Sequence, residues 1–358
     1  MFFLFSDLVN VESIYMKILV LGYFGYVTNQ IDGQTIKTRD IYSLLRMNCV
    51  TEDINFFDTQ SFKKSKSKIF KMLYLIAISD IVFYLPAQNN LKYLFPVIFI
   101  FSKIFRSYLH YLVVGGWLGE FLYNKPVHKY MLKNISGIYV ETKNLLNDLE
   151  KYNFHNISQL HNFRIKGLNS NNVFKDKNKD KLKLVFMARV HPMKGVDWII
   201  ELSNKIEELN YQNVYIHIYG PILKEYESVF FSKINNMNLQ YMGVLDPADI
   251  YRKLAEYDLM LFPTKYYTEG FPGTILDSYM CGVPVIATNW LNATEFVENG
   301  KTGYITQFNC KDEFINKVLF LIENPENIDQ LKSGAKNKSR EYSAEKAWDL
   351  LRKIIYLN

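Results

Sequence analysis

Glu269 and Asp277 stand on either side of a Gly270-Phe271-Pro272-Gly273-Thr274 turn and the two apolar residues that follow it. Carboxylates accept hydrogen bonds from hydroxyls and suit the recognition of a sugar or a ribose. The turn opens a helix expected over 274–281. The first N–H groups of a helix lack partners within it and carry the positive end of its dipole, a combination that binds a diphosphate. A second cluster lies in Phe186-Met187-Ala188-Arg189-Val190-His191-Pro192-Met193-Lys194-Gly195. Arg189 and Lys194, a few residues apart at a strand-to-helix turn, can clamp phosphate oxygens and neutralise charge on a departing phosphate. A third is the glycine-containing loop 25–38 with Gly33 at its centre, where Thr35 is expected to cap the next helix. A fourth is Gly115-Gly116-Trp117 after an apolar stretch. His110, His128, His155 and His217 are isolated and read as structural.

Elements able to hold these groups can be read from apolar patterning. Residues 182–187, 214–219, 239–243, 259–262 and 283–287 read as strands. They alternate with helical spacing over 196–208, 225–235 and 246–256. The first half begins the same way, with a buried strand at 17–21, a helix over 35–46, strands at 81–84, 111–114 and 135–140, and a helix over 143–152. Alternation of this kind implies parallel, doubly wound sheets. The expected architecture is α/β, with two Rossmann-like domains facing each other across a cleft. Residues 1–168 form the acceptor-binding domain and 169–342 the donor-binding domain, and a last helix (343–358) packs back on the first. The polar, Asn- and Lys-rich stretch 166–181 is the expected hinge.

Taken together, these segments resemble the retaining glycosyltransferases of family 4, which have the GT-B architecture. The family's hallmark is Glu, seven residues, Glu, with Gly-Phe-Pro after the first; here Asp277 stands where the second Glu is usual. The resemblance implies that Glu269 contacts the donor sugar, that Asp277 contacts the nucleotide ribose, and that Arg189 and Lys194 clamp the diphosphate. Gly270 to Thr274 would line the donor site and Gly33 would face the cleft. Leu160-His161-Asn162-Phe163 is similar to the family's interdomain passage, and Gly300-Lys301-Thr302-Gly303 to its late Gly-x-x-Gly turn. Many members carry a histidine where this chain has Gly115-Gly116-Trp117, and no histidine is assigned that role here. The implied reaction is transfer of a sugar from a nucleoside diphosphate donor, UDP-linked by expectation, with retention at the anomeric carbon. The GT-B relatives need no bound metal and the chain has no Asp-x-Asp motif, so neither metal nor cofactor is expected. A non-catalytic sugar-nucleotide-binding protein of the same fold is the alternative.

Composition sets the outer bounds. A chain of 358 residues, 49% hydrophobic and 22% charged, has material for two cores and is not a disordered polymer. Cys49, Cys281 and Cys310 are odd in number and far apart, which excludes a disulfide framework and a CxxC metal pair and suits a reducing cytoplasm. No G-x-G-x-x-G follows a strand, which argues against a nicotinamide oxidoreductase, and no recognition motif points to nucleic acid. Residues 1–15 have no basic region or cleavage site of a signal peptide.

Charge is uneven. Up to Lys166 there are 19 Lys and Arg against 12 Asp and Glu, whereas the rest holds 23 against 24. Segment 62–105 combines Lys63, Lys64, Lys66, Lys68 and Lys71 with Phe62, Ile69, Phe70, Leu73 and Tyr74, then an apolar run over 93–101. No uncharged run reaches the roughly 18–20 residues of a membrane span. Two helices with solvated lysines would account for the segment. Basic and apolar character in the same stretch favours a surface that rests on anionic lipid. The expected setting is therefore cytoplasmic and peripheral on the inner face of the plasma membrane. The expected acceptor is a lipid-linked glycan or an oligosaccharide of cell-surface polysaccharide (capsule) synthesis.

Overall fold

The computed structural model describes residues 16–27, 32–165 and 181–356. Of the expected hinge 166–181 all but Lys181, together with residues 1–15 and part of the first glycine loop (28–31), lie outside the described residues. Two six-stranded sheets, parallel throughout, carry the fold. The first holds β1 (Lys17–Gly22), β2 (Asp53–Asp58), β3 (Ile81–Leu85), β4 (Tyr108–Leu112), β5 (Gly137–Val140) and β6 (Ile157–Gln159), in the order β2-β1-β3-β4-β5-β6. The second holds β7 (Leu182–Met187), β8 (Val214–Tyr219), β9 (Leu239–Tyr241), β10 (Leu259–Phe262), β11 (Val285–Thr288) and β12 (Gly303–Thr306), in the order β12-β11-β10-β7-β8-β9.

The strands form where β-branched and aromatic residues run together, and the central ones are buried on both faces. Ile18 to Leu21, Ile81 to Leu85 and Leu259 to Phe262 are all buried, the pattern required when helices cover both sides of a parallel sheet. One core gathers Leu19, Leu21, Val82, Tyr84, Tyr111 and Ile138 on one face of the first sheet; another gathers Ile18, Val20, Phe83 and Leu112 on the other. The second sheet is covered the same way, around Leu184, Ile216 and Ile286 on one face and Val185, Met260 and Val285 on the other.

The returning C-terminal helix, Ala344–Tyr356, places Ala347, Leu351, Ile354 and Ile355 in the core of the first sheet with Ile18, Val20 and Leu45. Its docking brings the chain back past the outgoing passage, where Arg164 bridges to Ser343.

Several boundaries differ from the patterning. The strand expected at 111–114 lies at Tyr108–Leu112, so His110 sits inside it. Val113, buried at the strand's exit, is still tied to β5 through its N–H, which donates to Tyr139 O at 2.8 Å. The helix Gly33–Asn48 is capped by Asp32, which accepts from Thr35 N–H, while Thr35 Oγ1 accepts from Asp32 N–H. Thr35 is thus the reciprocal partner in a capping box and not the cap itself. β2 and β6 are sheet edges of mixed polarity that apolar patterning passes over. After the late glycine turn the chain continues as β12, parallel to β11.

Candidate active site

Strand order reverses between β7 and β10 in the second sheet, because the chain leaves β7 to one side and returns at β10 to the other. Crevices at such switch points, beyond the carboxyl ends of the strands, are where open α/β sheets bind ligands. The loops after β7 and β10 carry the sequence-predicted residues, and they are tied together. Lys265 N–H donates to Met193 O at 2.9 Å. Gly195, at φ +79°, leaves no room for a Cβ, which would fall 2.0 Å from Pro263 O. Glycine at this position is therefore demanded twice, by conformation and by contact.

Within that crevice Lys194 Nζ donates to Glu269 Oε2 at 2.5 Å, both side chains about one-fifth exposed. Thr264 Oγ1 donates to the same oxygen at 3.3 Å. Lys194 also lies over the Tyr266 ring, 4.9 Å from its centroid, and that ring stacks on His191. The Glu269 carbonyl accepts from Asn292 Nδ2 at 2.6 Å. Glu269 is thus fixed from both ends, with one cation already beside it. Arg189, one turn of chain before Lys194, is exposed and forms no ion pair among the described residues. A cation held by carboxylate and a cation left to solvent, at the mouth of one crevice, can receive a phosphate without rebuilding the loop.

The turn that follows is locked from behind. Phe271 stacks flat on Phe296, centroids 4.0 Å apart, and meets the rings of Tyr342 and His161. Burial holds the His161 imidazole below its usual range, so it packs as a neutral ring, its Nδ1 3.0 Å from Glu141 O. Pro272 precedes the helix Gly273–Met280, and its carbonyl accepts from Ile275 N–H. Gly273 and Thr274, the first two helical residues and both half-buried, have N–H groups with no acceptor inside the helix.

The first domain closes the crevice from the other side. Gly270 is buried against Gly115: a Cβ on Gly270 would fall 2.9 Å from Gly115 Cα, and one on Gly116 would fall 2.9 Å from Thr268 O. Beneath this contact Lys37 and Glu141 form a buried ion pair at 2.6 Å. Lys37 Nζ also donates to Val113 O, and Glu141 Oε2 accepts Gly115 N–H. The pair holds the β4 exit loop, which abuts the turn at Gly270.

The sequence-predicted residues therefore fall into three groups. Lys194 and Glu269 meet directly, Gly270 to Thr274 continue the chain from Glu269, and Arg189 lies exposed on the loop that carries Lys194. Gly33 begins its helix after β1 with nothing within 4 Å of a would-be Cβ, so packing alone does not require glycine there. Asp277 is buried one helical turn past Gly273, where Arg164 grips it in bidentate fashion at 2.8 and 3.3 Å. Arg164, Lys37, Glu141, Asp40 and Asn292 were not singled out by sequence reasoning. Lys37 had a signal: with Ile41, Leu44 and Leu45 it occupies the inward stripe of its helix, an odd place for an unpaired charge. Arg164 had none, because its partners lie on helices far along the chain. His110 is buried with Nδ1 3.1 Å from Tyr139 OH, and burial lowers it to about 4; His217 lies 2.7 Å from Tyr257 OH. Among the described residues no group of three His, Cys, Asp or Glu side chains could hold a metal ion.

Two parallel sheets, each with its own core and meeting at the carboxyl ends of their strands, define the GT-B architecture. The same arrangement covers solved structures across 96% of this chain. HepE of Anabaena, in complex with UDP-glucose, superposes with a TM-score of 0.74 at 17% identity over its full length. Residues 170–338 match the family model described as Glycosyl transferases group 1. Among curated relatives, a 41.2 kDa protein of the cps region of Klebsiella pneumoniae is 29% identical over 161 residues, 45% of this chain and 40% of the relative. The capsular polysaccharide biosynthesis glycosyltransferase CapM of Staphylococcus aureus is 27% identical over 178 residues, 48% and 45% of the two chains. The matched region spans about half the length of these relatives or less.

Proposed function

We propose that the protein is a retaining glycosyltransferase that moves a sugar from a nucleoside diphosphate donor, UDP-linked, to a lipid-linked or oligosaccharide acceptor in cell-surface polysaccharide synthesis. The observation that carries this reading is the Lys194–Glu269 pair at the switch-point crevice, with Arg189 beside it and the start of helix Gly273–Met280 nearby. Arg189, Lys194 and the N–H groups of Gly273 and Thr274 take the diphosphate and stabilise the charge that grows as the sugar leaves. Glu269 takes hydroxyls of the donor sugar, with Gly270 to Pro272 shaping the wall. Gly33 lets backbone approach donor and acceptor, and Asp277 reaches the ribose once Arg164 yields it. These cations replace a metal, so the reaction proceeds without one. Closure of the domains excludes water and limits donor hydrolysis. The family-4 spacing of Glu269 and Asp277 supports retention, and the UDP-glucose complex of HepE and the capsular role in CapM's name support the donor and acceptor classes.

The acceptor would be met at the inner face of the plasma membrane. Lys63, Lys64, Lys66, Lys68 and Lys71 are all exposed, and Phe70, Tyr74, Tyr93, Ile100 and Ile104 project beside them at 53–74% exposure. They lie on helices Lys68–Ala77, Gln88–Tyr93 and Phe95–Ile104 or next to them, and the first and last of these pack together. No helix among the described residues is long and apolar enough to cross a membrane.

Thermal unfolding in the presence of UDP, GDP, ADP or NAD tests the donor site. Ligand at about 100 times its dissociation constant should stabilise the protein by roughly 2.7 kcal/mol. Stabilisation by UDP that disappears in Arg189→Ala/Lys194→Ala is the expected result; indifference to every diphosphate overturns it. A second reading, a sugar-nucleotide binder without catalysis, is favoured by one observation, the gripping of Asp277 by Arg164. Turnover of UDP-sugar separates the two.

A further inference from the structure

The two passages between the domains run side by side at Arg164 and Ser343, and Arg164 turns inward from this crossing into a buried cluster. Its Nε and Nη2 hold Asp277 on helix Gly273–Met280, and its Nη1 donates to Asn162 Oδ1 and Phe163 O at 3.2 and 3.1 Å. The same Nη1 lies 3.7 Å from Asp40 Oδ2 on helix Gly33–Asn48. That distance is within ion-pair range and too long for a hydrogen bond, and Asp40 Oδ2 is buried with no hydrogen-bond partner. The guanidinium also crowds the donor turn, since a Cβ on Gly273 would sit 2.4 Å from Nη2. One cation thus faces two carboxylates, one from each domain, and it saturates only one of them.

We propose that Arg164 is a positioning residue that divides its guanidinium between Asp277 and Asp40, freeing the Asp277 carboxylate for the donor's ribose hydroxyls as Asp40 takes over the cation. The inference rests on the donor-site reading above. Charge on Asp40 decides the division. Burial pushes its carboxyl up to about 7, against the pull of Arg164 and with a contribution from Asp277. The groups facing it are Arg164 from the interdomain passage, Asp277 from helix Gly273–Met280 and Tyr251 from helix Ile250–Leu254, whose hydroxyl donates to Asp277 at 3.3 Å. On its own helix, Lys37 is held by Glu141, and Arg39 by the Phe24 carbonyl. Burial pulls the Arg164 guanidinium down, but Asp277 and Asp40 outweigh it and hold it above its usual range, so Arg164 stays charged throughout. Below the Asp40 transition the neutral carboxyl competes poorly and Arg164 stays on Asp277. Above it the new charge draws the guanidinium across, and the ribose contact strengthens.

Calorimetric titration of the full chain with UDP and with 2′,3′-dideoxyuridine diphosphate, in acid and in alkaline buffer, tests this. The diphosphate's own ionisation is common to both nucleotides, so the ratio of their dissociation constants isolates the ribose contact. In the wild type the preference for UDP should grow about fivefold or more between about pH 6 and about pH 8, a change of the size expected when one neighbouring charge is switched. In Asp40→Asn, with folding checked by its melting temperature, the preference should be small and flat. A wild-type ratio that does not change with pH, or a rise that survives in Asp40→Asn, overturns the proposal while leaving the donor site intact. If the variant does not fold, the wild-type ratio alone decides. Failure of both nucleotides to bind overturns the donor-site reading and this inference with it.

Discussion

Gly270 and Gly33 separate two reasons for a glycine. At Gly270 a methyl group would strike the Gly115 backbone at 2.9 Å and approach Glu141 Oε2 at 3.2 Å. The obstacle is main chain, so relief requires the two domains to part. Gly270→Ala should leave each domain folded and lower kcat with the sugar donor by about tenfold or more, since small displacements of reacting groups are costly. Gly33→Ala meets open space and sits at the first turn of a helix, where alanine is well tolerated. Its melting temperature should match the wild type, and only KM should rise if the glycine serves the approach of a ligand. Equal effects of the two substitutions on kcat would refute this division of roles.

Among the elements, helix Gly33–Asn48 and strands β4 and β5 meet through the Lys37–Glu141 pair, which is 1% and 3% exposed. Removing one partner from a buried pair strands the other, at a cost of about 3–5 kcal/mol, whereas apolar replacement of both is far milder. Glu141→Gln should therefore unfold at clearly lower denaturant, and Gly115 N–H loses its carboxylate acceptor. Lys37→Met/Glu141→Leu should recover much of the loss in equilibrium denaturation. A double variant as unstable as the sum of the singles would show that the two residues do not act as a pair. The pair was only half legible beforehand: Lys37 breaks the apolar stripe of its helix, but nothing near Glu141 in the chain announces its partner.

For the whole molecule, the question is where it works. The exposed lysines of 63–71 and the aromatic and aliphatic side chains beside them occupy the first domain, while the crevice proposed for the donor belongs mainly to the second. Each lysine near an anionic surface contributes about 1 kcal/mol, so Lys63→Glu/Lys64→Glu/Lys66→Glu/Lys68→Glu should weaken partition onto anionic vesicles by at least about a hundredfold. Binding of UDP should be unaffected, because the substitutions leave the second sheet untouched. Unchanged sedimentation with vesicles would remove the lipid surface from the account.

The amino-acid sequence by itself determined the class of fold and the residue types that stand on the loops after β7 and β10. Buried strands and glycine turns are local signals: apolar runs such as 259–262 and turns such as Gly270 to Gly273 specify their own geometry, and the side chains of Arg189, Lys194 and Glu269 ride on those turns. Short edge strands such as β2 and β6 were invisible because their half-exposed residues carry no clear period. Only the tertiary structure decided what faces what. Parallel strand order places the loops after β7 and β10 together, although some 70 residues separate Lys194 from Glu269 along the chain. The return of helix Ala344–Tyr356 onto the first sheet sets Arg164 between Asp40 and Asp277. Contacts of that kind depend on the packing of distant elements, and no local pattern of residue types encodes them.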